Sequence, residues 1–135
     1  MTITRLNPDA LHKTPGYSHI TVVEAGRTAF LAGQCPLDVT GALVGDGDLN
    51  AQVDQVATNA LTALAAVNAR PEQVVRSVIY VVVSQDTAVL GGVWQRLLDS
   101  PLAAAFTTAS TLLGVAQLGF TGQLVELDLT AALSA

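Results

Sequence analysis

Cysteine is nearly absent from this chain of 135 residues: there is one, Cys35. A single thiol excludes an internal disulfide. Charge is scarce as well. Charged residues make up 13%, against about 25% in an average soluble domain. Cations are the scarcer sign, six against eleven acids, and none follows Arg96. Affinity for a phosphate backbone comes largely from clustered cations, so this balance argues against nucleic acid as the main partner. Repeats, low-complexity tracts and Pro/Ser linkers are missing too, and residues 1–135 read as one domain.

What is abundant is apolar surface. Half of the residues are hydrophobic. A domain this small has too much surface to cover with so few charges. Another copy of the same chain is the simplest cover, so a homo-oligomer is expected. A membrane is the rival cover. Residues 100–125 carry no ionisable side chain and are long enough to span a bilayer. They also contain Pro101, Gly114, Gly119, Gly122, two glutamines and six hydroxyls, a load a spanning helix hardly carries. The opening MTITRLNPDALHKTPGY lacks the apolar core of a signal peptide. The expected location is cytoplasmic.

Residues 2–6 suit a short strand. HITVVE (19–24) and RTAFLA (27–32) flank Ala25-Gly26, which predicts a hairpin. Leu49, Val53, Val56, Ala57, Ala60, Leu64 and Val67 fall on one stripe of period 3.6, predicting a helix over 49–67 capped by Asp48. VVRSVIYVVV (74–83) reads as a central strand buried on both faces. A second helix is predicted over 86–98. Its Gly91-Gly92 pair costs roughly 2 kcal/mol against two alanines, which calls for close approach of a backbone or a ligand. Strands follow at 105–115 and 123–130, with a turn at 119–122. The order β-β-β-α-β-α-β-β gives an α+β fold with both helices on one face of a mixed sheet. The other face is left for a partner.

Most familiar chemistries fail on these residues. His12 and His19 are too isolated for a metal site and read as loop histidines. DGDLN (46–50) starts like a calcium loop, but Ala51 stands where glycine is needed and Ala57 where the bidentate glutamate belongs. The same segment is no phosphate turn, since Asp46 and Asp48 would repel the ligand. It reads as a loop and helix cap. Cys35 is either a nucleophile or, the commoner case for a lone cysteine after a strand, a small buried hydrophobe. No nucleophile elbow is present. Trp94 reads as an anchor at a subunit interface. Glu126, in QLVELDL, shares a face with Leu124 and Asp128 and is either solvent-facing or functional.

PGYSH (15–19), LAGQCPLDVTG (31–41), Gln52 with Asn59, VVRSVIYVVV (74–83) and STLLGVAQL…LVELDL (110–129) together resemble the Rid family, also called YjgF or endoribonuclease L-PSP-like. The most specific part is G-Q-x-P-x-D-x-x-G followed by V-E-[IL]-[DE]. The resemblance implies a chorismate-mutase-like homotrimer with ligand clefts between subunits. It implies cofactor-free hydrolysis of enamines and imines such as 2-aminoacrylate. In such relatives an arginine clamps the substrate carboxylate and a glutamate holds the attacking water. A tyrosine, a serine, an asparagine and often a cysteine complete the cleft.

By the same resemblance, Tyr17 matches the tyrosine and Glu126 the glutamate. The serine before G-Q is Ala32, the asparagine falls at Gly91 and the cysteine at Leu112. The arginine is replaced by Ser110. Thr108 and Ser110 would then supply polar contacts, and the Gly33 N–H would face developing charge. A charge-assisted hydrogen bond is worth about 1.5–3 kcal/mol. Its loss weakens carboxylate binding by roughly 10- to 150-fold, unless Arg27 or Arg76 of a neighbouring subunit substitutes. A neutral or less polar C=N substrate is therefore expected. The alternatives are a non-enzymatic trimer that binds a metabolite or a partner and, further off given the acidic balance, an endoribonuclease or translation inhibitor.

Overall fold

The computed structural model describes residues 2–24 and 26–134. Its elements are β1 (Thr2–Leu6), β2 (Ile20–Glu24), β3 (Arg27–Phe30), α1 (Leu49–Ala66), β4 (Val74–Val82), α2 (Thr87–Leu98), β5 (Ala109–Val115) and β6 (Val125–Leu133). Short 3-10 turns occupy Pro71–Gln73 and Ala103–Phe106. This is the expected order.

Local chemistry sets the helix ends. The Asp48 carboxylate accepts from the Ala51 N–H at 3.1 Å and starts α1. Its buried stripe is Val53, Val56, Ala57, Ala60 and Leu64. Asn68 closes the helix in the left-handed region at φ 56°, where asparagine is tolerated. Asp86 caps α2 through the Ala88 N–H at 3.0 Å. The Ser100 hydroxyl then donates to the Leu97 carbonyl at 2.6 Å and turns the chain out of the helix.

A four-stranded sheet has the order β3-β6-β4-β5, parallel between β4 and β5 and antiparallel elsewhere. Its register sorts side chains by face. Ser77 pairs with Ser110, and Ile79 with both Leu112 and Leu127, on the side that meets the helices. There Ile79, Leu127 and Leu129 join Leu64, Leu97, Leu102 and Phe106 in the core. Tyr80 pairs with Glu126, and Val78 with Asp128, on the opposite side. Residues on that side are half-buried or, at Arg76, exposed. The central strand is therefore covered fully on one face and partly on the other, not on both.

Two further expectations change. The predicted hairpin of 19–24 with 27–32 does not form: β2 pairs antiparallel with β1, and β3 with β6. Its turn residue Ala25 lies outside the described residues. The cause is polar anchoring. The Thr21 hydroxyl accepts from the Ala109 N–H at 3.0 Å, and the Ser18 N–H donates to the Thr108 carbonyl at 3.1 Å. These bonds draw β2 toward the start of β5 and away from β3. Residues 105–108 are also not strand. Ala105 and Phe106 belong to a 3-10 turn and are fully buried plugs. No helix among the described residues is long and apolar enough to cross a membrane.

Candidate functional site

The expected site residues fall into two groups. The first surrounds a cavity of about 170 Å³ lined by Pro15, Tyr17, Gly91, Trp94, Ser110 and Leu112. Alternation along β5 turns Ser110 and Leu112 toward α2. Helical spacing of three puts Gly91 and Trp94 side by side above them. Among the described residues, nothing outside the helix's own neighbouring backbone lies within 4 Å of where a β-carbon at Gly91 or Gly92 would stand. No backbone presses on the glycine pair. Gly91 opens the cavity instead.

Tyr17 reaches this cavity from the loop between β1 and β2. The Thr14 hydroxyl donates to its carbonyl at 2.6 Å, and its phenol is 2.8 Å from His12 Nε2. His19 Nε2 donates to the His12 carbonyl at 2.7 Å. The two histidines thus brace Tyr17. Its ring meets Trp94 edge-on at 6.4 Å, and Trp94 meets Phe106 at 5.8 Å. Within one chain, Trp94 is thus held between Tyr17 and Phe106.

The hydroxyls of this wall are largely engaged. Ser110 lies 2.6 Å from the Ser77 hydroxyl and donates to the Thr108 carbonyl at 3.1 Å. Thr108 is fully buried and donates to the Val75 carbonyl at 2.9 Å. It lies outside the cavity lining and acts as a strut between β4, β5 and β2. Neither arginine reaches Ser110 within one chain. Arg76 Nη2 donates to Thr111 at 2.7 Å, and Arg27 to the Ser134 carbonyl at 3.5 Å.

Ala32, Gly33 and Glu126 form the second group, with Cys35 and Gln123. The Gln34 N–H donates to Leu127 at 2.7 Å and the Leu127 N–H returns a bond at 3.1 Å, clipping 32–35 beside β6. Asn59 Nδ2 donates to the Cys35 and Leu37 carbonyls, each at 2.9 Å, and holds the loop to α1. Glu126 Oε1 accepts from the Cys35 thiol at 3.2 Å and from Gln123 Nε2 at 3.2 Å. The other oxygen, Oε2, lies over Gly33, where a β-carbon would overlap it. Burial, and then the bond to Glu126 and its charge, push the Cys35 thiol up to about 11. It stays protonated near neutrality, so it is a donor to Glu126 and not a nucleophile.

One chain does not bring these groups together. Ser110 faces the helices with Ser77, whereas Glu126 shares the opposite face with Tyr80. The period-2 rule carried this separation for each strand, but the sequence gives no strand pairing from which to compare the two. Trp94 was findable from its helical spacing to Gly91. Nothing in the sequence ties Cys35 or Gln123 to Glu126.

Comparison with known proteins agrees with the fold. The family model described as "Endoribonuclease L-PSP" matches residues 7–133. The Rid-family protein YyfB of Yersinia pestis is 32% identical, with a TM-score of 0.85 over 98% of this chain and 100% of that one. Yeast Mmf1 shares the fold at 20% identity, with a TM-score of 0.64 over 97% of this chain and 98% of its own. Protein DfrA of Myxococcus xanthus is 35% identical over 97 residues, 71% of this chain and 74% of DfrA. The order of elements, the helix-covered mixed sheet and the match across nearly the whole length place this chain in the Rid family.

Proposed function

We propose that this protein hydrolyses an uncharged C=N electrophile, without a cofactor, in a cleft formed between copies of the chain. The observation that carries this reading is the division of the site. Tyr17, Gly91, Ser110 and Leu112 line one cavity, and Glu126 with Gly33 lies on the other sheet face. Neither half is a complete site. A homotrimer that joins one copy's cavity to its neighbour's Glu126 supplies both.

In that cleft Glu126 is the base. Cys35 and Gln123 hold Oε1, which leaves Oε2 to receive a proton from water. The oxygen of that water bonds to the imine carbon as the C=N π pair moves to nitrogen. Protonated Glu126 gives that proton to the nitrogen, then takes the proton of the new hydroxyl and passes it to the nitrogen as the C–N bond breaks and the carbonyl forms, so imine plus water gives carbonyl compound plus amine or ammonia and Glu126 ends as it began. The Gly33 N–H faces the charge that develops. Tyr17 positions the substrate.

The test is ammonia release from imines generated by an amino-acid oxidase and from neutral imines of similar size. Turnover of the neutral imines, lost in Glu126→Gln, is expected. Robust Glu126-dependent turnover of 2-aminoacrylate would overturn the neutral-substrate reading. A second reading, binding without turnover, is favoured by the engaged hydroxyl of Ser110, which leaves the cavity little polar reach. Ligand-induced melting shifts with no product would select it.

A further inference from the structure

We infer that the cavity between Tyr17, Trp94 and Leu112 is a subsite for an uncharged ring, or a branched aliphatic group of similar size. The inference rests on the proposed reading only in taking this cavity as part of the cleft; the cavity itself belongs to a single chain.

Size comes first. A cavity of about 150 Å³ walled by apolar side chains holds benzene. The one here measures about 170 Å³. Pro15, Trp94, Leu112 and the Tyr17 ring give it apolar walls, and the missing side chain of Gly91 provides its depth. The aromatic walls are braced, since Trp94 packs edge-on against both Tyr17 and Phe106. Rigid aromatic walls favour a flat guest packed against their edges or faces.

The polar atoms around the cavity are committed elsewhere. The Tyr17 phenol is bonded to His12. The Ser110 hydroxyl is shared with Ser77 and Thr108. No charged side chain is part of the lining. A charged group entering this space would lose water and gain no counter-charge. The cavity therefore selects by shape and by lack of charge.

Trp94 is the single tryptophan of the chain, so its fluorescence comes from a wall of this cavity. The assembled wild-type protein is titrated with phenylacetamide, acetamide and phenylacetate. Phenylacetamide should change Trp94 emission saturably. Acetamide should not, and phenylacetate should bind roughly 10-fold more weakly or worse. Gly91→Leu, which fills the cavity, should abolish the response. Gly92→Ala, one residue away and outside the lining, should leave it intact. Gly92→Ala should melt no lower than wild type, because it replaces a helical glycine where a β-carbon meets no other part of the fold, and a cooperative melt with unchanged assembly mass shows that Gly91→Leu is folded. Phenylacetate binding as tightly as the amide, or a response that survives Gly91→Leu, would overturn the inference. Saturable ring binding without Glu126-dependent hydrolysis would sustain it while the catalytic reading fails. Hydrolysis that needs Glu126 but shows no preference for ring-bearing substrates would do the reverse.

Discussion

Cys35 holds a proton that other cysteines would give up sooner. It is half-buried, its thiol points at a carboxylate, and both facts disfavour the thiolate. The consequence is a pH dependence with a definite sign. The folded thiol titrates at about 11, above its ordinary 9.0. Between those values the unfolded chain has released the proton and the folded chain has kept it. Stability contributed by Cys35 is complete below the lower value and is lost as pH rises toward the upper one. Urea unfolding of wild type and Cys35→Ser across this range should show wild type losing ground to the variant, since serine does not titrate there. A constant gap between the two would mean that neither burial nor Glu126 holds the thiol up. Gly33 belongs to the same arrangement. Its missing side chain is a matter of space, because the Glu126 carboxylate fills the position a β-carbon needs.

Helix α1 is tied to the loops around it by one buried side chain. Gln52 is fully buried; its Nε2 donates to the Gly45 and Gly122 carbonyls, each at 3.0 Å, and its Oε1 accepts from the Leu124 N–H at 2.7 Å. Gln52→Leu would strand all three backbone groups, at about 2–4 kcal/mol, read as a lower urea midpoint. In α2 the expected change has the opposite sign. Gly92→Ala meets no atom and removes a helical glycine, so it should stabilise by about 1 kcal/mol and raise Tm by a few degrees. The elements differ in how far the sequence discloses them. Period and capping marked α1 to within a residue, because both signals are local. The hairpin expectation failed because Thr21 and Ser18 find partners near residue 108, and no local pattern records a bond that distant. The site shows the same limit. Its residue types were legible through family motifs, but their division between two faces follows from strand register, which the sequence does not print.

The whole molecule leaves apolar surface that one chain does not cover. Phe30 is 81% exposed beside Thr130, on the sheet face that carries Glu126. Leu6, Ile20, Val22 and Val23 are exposed along β1 and β2. If this surface meets another copy, and the two half-sites meet with it, catalysis belongs to pairs of chains. Such a site can be rebuilt from two defective proteins. Glu126→Gln leaves the cavity intact, and Gly91→Leu leaves the carboxylate intact. Neither variant alone should turn over a ring-bearing imine. Mixed in equal amounts and allowed to exchange subunits, they should regain roughly a quarter of wild-type turnover, since random assembly pairs a good cavity with a good carboxylate in one cleft of four. Activity that stays at zero after subunit exchange is shown by mass would place both halves in one chain's service and refute the shared cleft. Dilution gives an independent check: turnover per chain should fall as the assembly dissociates, and Phe30→Glu should bring that fall to higher protein concentration.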